Sequence, residues 1–147
     1  MMSEAKRDSL VKWIRWSLQL QAWDCHIEYA RMGQVDDGRP ILGQCTPDPL
    51  YRTAEICLDP SLLDDLPAWS AALRHELLHL ISADYILVRQ QLADVLPART
   101  FRMIDRLLYH ASERSVGRIE RMLDHGLGLD PAAMVRRARS LCRRETT

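Results

Sequence analysis

The sequence predicts an α+β fold: a small β-sheet in the N-terminal half, packed on a helix carrying His-Glu-x-x-His and on a downstream helical subdomain. Three observations predict it. Hydrophobic residues make up 47% and charged residues 27% of the 147-residue chain, globular values that exclude wholesale disorder. Strict apolar/polar alternation, the period of a half-buried strand, occurs only between Trp23 and Leu58. Helical spacing governs the segments before and after it, so strands and helices are segregated rather than interleaved. The length suits one ordinary domain, and no internal repeat, low-complexity tract or linker divides it, so residues 1–147 are read as a single domain.

The elements follow in chain order. Residues 1–20 hold an N-terminal helix, with Ser3 as its cap and Leu10, Ile14 and Leu18 at fourfold spacing. Residues 22–58 hold the strands. Trp23, Cys25, Ile27 and Tyr29 alternate with Asp24, His26 and Glu28; Gly33 to Pro40 is a loop; Ile41–Cys45 reads as a second strand closed by a turn at Thr46-Pro47-Asp48-Pro49. Arg52–Leu58 alternates again, with Ala54, Ile56 and Leu58 on one face. Asp59-Pro60 opens a short helical turn. Residues 67–125 hold the central helices: one from Pro67, one over Tyr85–Leu96 stopped by Pro97, and a long one capped by Thr100 and ended by Gly126. Residues 130–147 read as a basic C-terminal helix starting at Asp130-Pro131.

Charge and cysteine usage bound the function classes. Residues 1–97 carry 9 Lys/Arg against 14 Asp/Glu, and residues 98–147 carry 11 against 6. Arg136, Arg137, Arg139, Arg143 and Arg144 form the densest basic patch, either a solvated helix face or a dock for nucleic acid or an acidic partner. Cys25, Cys45, Cys57 and Cys142 contain no Cys-x-x-Cys, which argues against a zinc knuckle or a thioredoxin-type site; Cys25 and Cys57 read as small core residues on strands. No apolar run approaches the ~20 residues of a membrane span, and the N-terminus shows no signal pattern. A cytoplasmic protein without membrane contact is expected.

The chemistry concentrates at Arg74-His75-Glu76-Leu77-Leu78-His79-Leu80. Residues four apart share one helix face about one turn apart, so His75 and His79 can converge on one Zn²⁺ ion. Glu76 stands beside the first ligand, placed to act as a general base on a water rather than to bind the metal. A catalytic zinc site needs a third protein ligand. The metzincin pattern would require Gly at 82 and His at 85; Ser82 and Tyr85 exclude it. Downstream candidates are Asp84, Asp94, Asp105, Glu113, Glu120, Asp124, His110 and His125, with Asp84 too close to be presented by a separate helix.

The strand Thr53–Leu58, a short linker, the helix with His75-Glu76-Leu77-Leu78-His79 and a later helix with Glu113-Arg114-Ser115-Val116-Gly117-Arg118-Ile119 resemble the smallest gluzincin-type zinc metallopeptidases. The resemblance is closest to the compact HExxH proteins of phages and prophages, and covers roughly residues 23–123. It implies a zincin-like fold and a zinc-dependent peptide-bond hydrolase acting on a peptide or protein substrate. It also implies Glu113 as the third ligand and an edge strand before the motif that holds extended substrate. The residues themselves leave the ligand open. An apolar stripe through Ile104, Leu108, Ala111, Ser115 and Ile119 sets Glu113 nearly opposite, as a solvated glutamate would be, and Glu120 is the next candidate.

Tyr109 and His110, about one turn before Glu113, are candidates for stabilising an oxyanion. His26 falls on the polar side of its strand, and Trp13, Trp16, Trp23 and Trp69 read as core and rim. The competing functional reading is a non-catalytic interaction or nucleic-acid-binding protein that retains a structural or vestigial zinc helix and binds through its arginine-rich tail.

Overall fold

A computed structural model describes residues 3–34, Gly38, 40–126, Ala133, Arg136, Arg137 and Ser140. Helix α1 (Glu4–Ser17) is followed by strands β1 (Asp24–Tyr29), β2 (Gly43–Asp48) and β3 (Thr53–Leu58). A 3₁₀ turn at Pro60–Asp64 leads into helix α2 (Leu66–His79), then α3 (Asp84–Val95) and α4 (Ala98–Gly126). The predicted α+β class is the observed one: a three-stranded sheet in the order β1-β3-β2, with helices before and after it. No helix among the described residues is long and apolar enough to cross a membrane.

Strand β3 is central, parallel to β1 and antiparallel to β2. Its alternation is therefore the sharpest of the three, with Ala54, Ile56 and Leu58 buried. They pack against Leu10 and Ile14 of α1 and Trp69, Leu73 and Leu77 of α2, which together form the main core. Trp69 Nε1 donates to the Tyr29 hydroxyl at 3.1 Å, so its indole finds a partner inside that core. Leu78 points the other way, into a second cluster with Val116 and Leu123 of α4. Helix α2 is thus buried on two sides, against the sheet and against α4.

Several boundaries differ from expectation. The second strand runs through Thr46, Pro47 and Asp48, and the turn lies at residues 49–52, where Asp48 Oδ1 accepts the Leu50 and Tyr51 N–H groups at 3.0 and 3.3 Å. Proline is tolerated there because β2 is an edge strand. The Asp59 N–H bonds the Leu42 carbonyl, so even-numbered β2 positions face β3 and Pro47 faces outward, where its missing N–H breaks no ladder bond. The strand immediately before the motif, β3, is central; the edge strand beside α2 is β2.

Ser3 occupies the N-cap of α1 with extended backbone, but its side chain makes no cap bond; its carbonyl accepts from Lys6 and Arg7 instead. Helix α4 starts at Ala98, directly after Pro97, so Thr100 lies within its first turn rather than capping it. Cys25 and Cys45 pack on the core, whereas Cys57 faces the other side of the sheet. Of the tryptophans, Trp23 and Trp69 are buried and Trp16 is exposed. The basic C-terminal helix, with Arg139, Arg143, Arg144 and Cys142, lies mostly outside the described residues; Ala133, Arg136, Arg137 and Ser140 are helical, and the Arg137 guanidinium stands 5.9 Å from the centre of the Trp13 ring.

Candidate metal centre

Helix α2 begins cleanly, because Asp65 Oδ1 accepts the Ala68 N–H at 3.0 Å and Pro67 sits in the first turn. Its apolar faces fix its rotation, and the remaining face turns His75 and His79 toward α4. Their rings meet edge to face with centroids 5.1 Å apart. Glu113 approaches from α4, with one carboxylate oxygen 3.5 Å from His75 Nε2 and the other 3.4 Å from His79 Nε2. Donors placed tetrahedrally at about 2.1 Å from one ion lie about 3.4 Å apart, so these spacings are compatible with a shared ion as well as with His–carboxylate pairing. His75, His79 and Glu113 could hold a metal ion, with one donor atom from each all within 4.8 Å of one another.

The predicted third ligand is thus brought to the histidines, and the expected orientation of α4 is corrected. The buried positions of α4 are Val116 and Leu123, with Ile119 packed beside them, not a stripe through Leu108 and Ser115. Glu113 and Glu120 flank that buried line and face α2. Both imidazoles present Nε2 to Glu113, while Nδ1 is taken up behind. Glu120 Oε2 lies 3.4 Å from His75 Nδ1, and the Ser112 hydroxyl lies 3.4 Å from His79 Nδ1. Glu120, the alternative ligand, therefore sits behind the first histidine rather than at the converging face.

Glu76 is 6% exposed and lies against β2. The Cys45 backbone N–H, on the outward edge of that strand, donates to its carboxylate. Burial dominates and raises the Glu76 carboxyl to about 7, opposed by the charge of His75 and aided by Glu113 and Glu120. Hydrogen bonds to Glu113 and then Glu120 push His75 up to about 10. Burial lowers His79, and the His75 bond holds Glu113 below the usual carboxylate range. Burial, then the charge of Glu76, pushes the Cys45 thiol up to about 12, which makes it inert as a nucleophile.

Tyr109 and His110 lie one turn before Glu113, both exposed, their rings in edge contact at 5.6 Å. Burial and the charges of Glu113 and Glu76 raise the Tyr109 hydroxyl, so that ring borders the site without bonding into it. Asp94 is exposed on α3, and Asp105 is bound by Arg89, with Arg89 Nη2 donating at 3.0 Å; neither joins the centre. His26 is exposed on β1 and is not part of the group formed by His75, His79 and Glu113.

Sequence reasoning missed Gly43, Cys45, Ser112 and the placement of Arg74 and Glu120. Gly43 and Cys45 act through backbone, which leaves no side-chain signature. The spacing of Glu113 and Glu120 over about two helical turns was readable as one shared face. No protein-family model, curated protein or solved structure matches the chain.

Proposed function

We propose that the chain is a zinc-dependent peptide-bond hydrolase of the minimal gluzincin type. The observation that carries the reading is the grouping of His75, His79 and Glu113, one donor atom from each within 4.8 Å of the others, with both histidines on the helix that also carries the buried carboxylate of Glu76. Two neutral imidazoles and one carboxylate are the nitrogen and oxygen donors that zinc accepts in hydrolytic sites, and they leave a net charge of +1 when it binds. Zinc held by His75, His79 and Glu113 would supply Lewis acidity there, to polarise a scissile carbonyl and to acidify a nearby water toward neutrality.

The residues of the chain do the rest. Glu76 accepts a proton from the attacking water and passes it to the departing amine, while the Cys45 N–H and the close backbone of Gly43 hold its carboxylate in place. Tyr109 and His110, one turn before Glu113 on α4, are the candidates to stabilise the developing oxyanion. The test is metal analysis together with turnover of a peptide library. Zinc near one per chain is expected, with Glu76→Gln retaining the metal and losing hydrolysis. Purified protein that stays metal-free after reconstitution would sink the proposal.

A further inference from the structure

Arg74 stands immediately before the first histidine, yet its side chain is only 5% exposed. A buried guanidinium is costly unless carboxylates meet it. Two do, and both come from α4 on one face of that helix. Nη1 lies 2.6 Å from Asp124 Oδ1, and Nη2 lies 3.8 Å from Glu120 Oε1. The other oxygen of Glu120, Oε2, faces His75 Nδ1 at 3.4 Å. Glu120 is therefore gripped from two sides, one oxygen toward the guanidinium and the other toward the imidazole.

We infer that Arg74 is a positioning residue of the metal centre, acting through Glu120 on His75. The inference rests on the metal-site reading and deepens it. A metal-binding histidine needs its second ring nitrogen to donate its proton, which fixes the tautomer and the ring plane and leaves the first nitrogen's lone pair for the ion. Glu120 supplies that acceptor. A glutamate on a solvent-facing helix has several rotamers; Arg74, itself anchored on Asp124, selects the one that reaches His75. The fork of arginine suits this because its planar donors can address two carboxylates at once, which a lysine ammonium does with less definition.

The test compares wild type, Glu120→Ala, Arg74→Met and the double variant, all full length. Zinc affinity is read by competition with a chromophoric chelator, and the ring ¹⁵N resonances of His75 and His79 are read in the loaded protein. Each single variant is expected to weaken zinc binding roughly ten- to hundredfold. In the Glu120→Ala background Arg74→Met should add little, because it acts through the residue already removed. Arg74→Met should also shift the His75 Nδ1 resonance and leave His79 in place. Losses that multiply in the double variant, or an unmoved His75 resonance, would reduce Arg74 to a clamp between α2 and α4 and overturn the inference. If Arg74→Met does not fold, Arg74→Lys carries the same comparison, with an affinity between wild type and Glu120→Ala expected and a wild-type affinity overturning. Wild-type protein that takes up no zinc would instead overturn the metal reading itself.

Discussion

Gly43 lies so close to Glu76 that a Cβ on it would stand 2.5 Å from the carboxylate oxygen Oε1 and 2.9 Å from the Glu76 Cγ. The absence of a side chain is what lets the β2 backbone and this carboxylate share one place. Replacing glycine by alanine in a strand ordinarily helps folding by restricting the unfolded chain. At this position the sign reverses. Gly43→Ala is expected to cost about 1–3 kcal/mol from overpacking, and to push Glu76 off its position. Denaturant midpoints and turnover check it: hydrolysis should fall steeply while zinc content stays near that of wild type.

Glu113→Ala is expected to weaken zinc binding more than tenfold, because it removes the one anionic donor of the set. Asp94→Ala and Asp105→Ala serve as controls. The second breaks the surface pair with Arg89, worth roughly 1 kcal/mol or less, and should leave zinc affinity unchanged. Chelator competition on the three variants is the measurement. An equal loss in all three would mean that the assigned donor is not special.

Glu76→Gln should stabilise the metal-free protein at pH 8. In the fold this carboxyl titrates at about 7 rather than the ordinary 4.5, because burial resists its charge. Folding stability is therefore lost as pH rises from 4.5 through about 7, and the uncharged glutamine escapes that loss. The gain is on the order of 2–3 kcal/mol above pH 7 and vanishes near pH 4. Urea titrations of chelator-treated protein at the two pH values decide it; a variant less stable than wild type at pH 8 would contradict the burial argument.

The stability of the metal-free protein should peak in mild acid. His75 holds its proton more tightly when folded, so its contribution is full below pH 6.5 and is lost as pH rises toward about 10. Glu76 acts in the same sense between 4.5 and about 7. Glu113 and His79 oppose them: with lowered pKa values, Glu113 gives stability that is lost as pH falls below 4.5, and His79 gives stability that is lost as pH falls below 6.5. A maximum between about pH 5 and pH 6.5, with a decline from there toward pH 10, is expected. Melting temperatures across that range test it, and a maximum near pH 8 would be incompatible with it.

The α+β layout and the His75–His79 pair were legible because they rest on periodicity and spacing, whereas Glu113 was pointed to by the family resemblance and not by the apolar stripe of its helix. Ala54, Ile56 and Leu58 alternate in sequence because the central strand has one face in the core. His75 and His79 share a helix face by arithmetic alone. Other features depend on packing between elements and escape such reading. Pro47 looks like a turn residue until β2 is known to be an edge. The face of α4 that meets α2 is decided by Val116 and Leu123 against Leu78, not by its longest apolar stripe. Ser112 and Arg74 gain their partners only once those two helices are docked.

Pro47 also bears on how copies of this chain meet. An exposed strand edge is a template onto which another chain can add, growing an aggregate one backbone ladder at a time. Along the outward edge of β2 the available donors are few: Pro47 has no N–H, and the Cys45 N–H is already given to Glu76. An incoming strand would therefore meet interruptions at successive outward positions. The arrangement that steadies a buried carboxylate thus also blunts self-templating at this edge, and Pro47→Val, by restoring a donor and a β-branched side chain, would expose the chain to it.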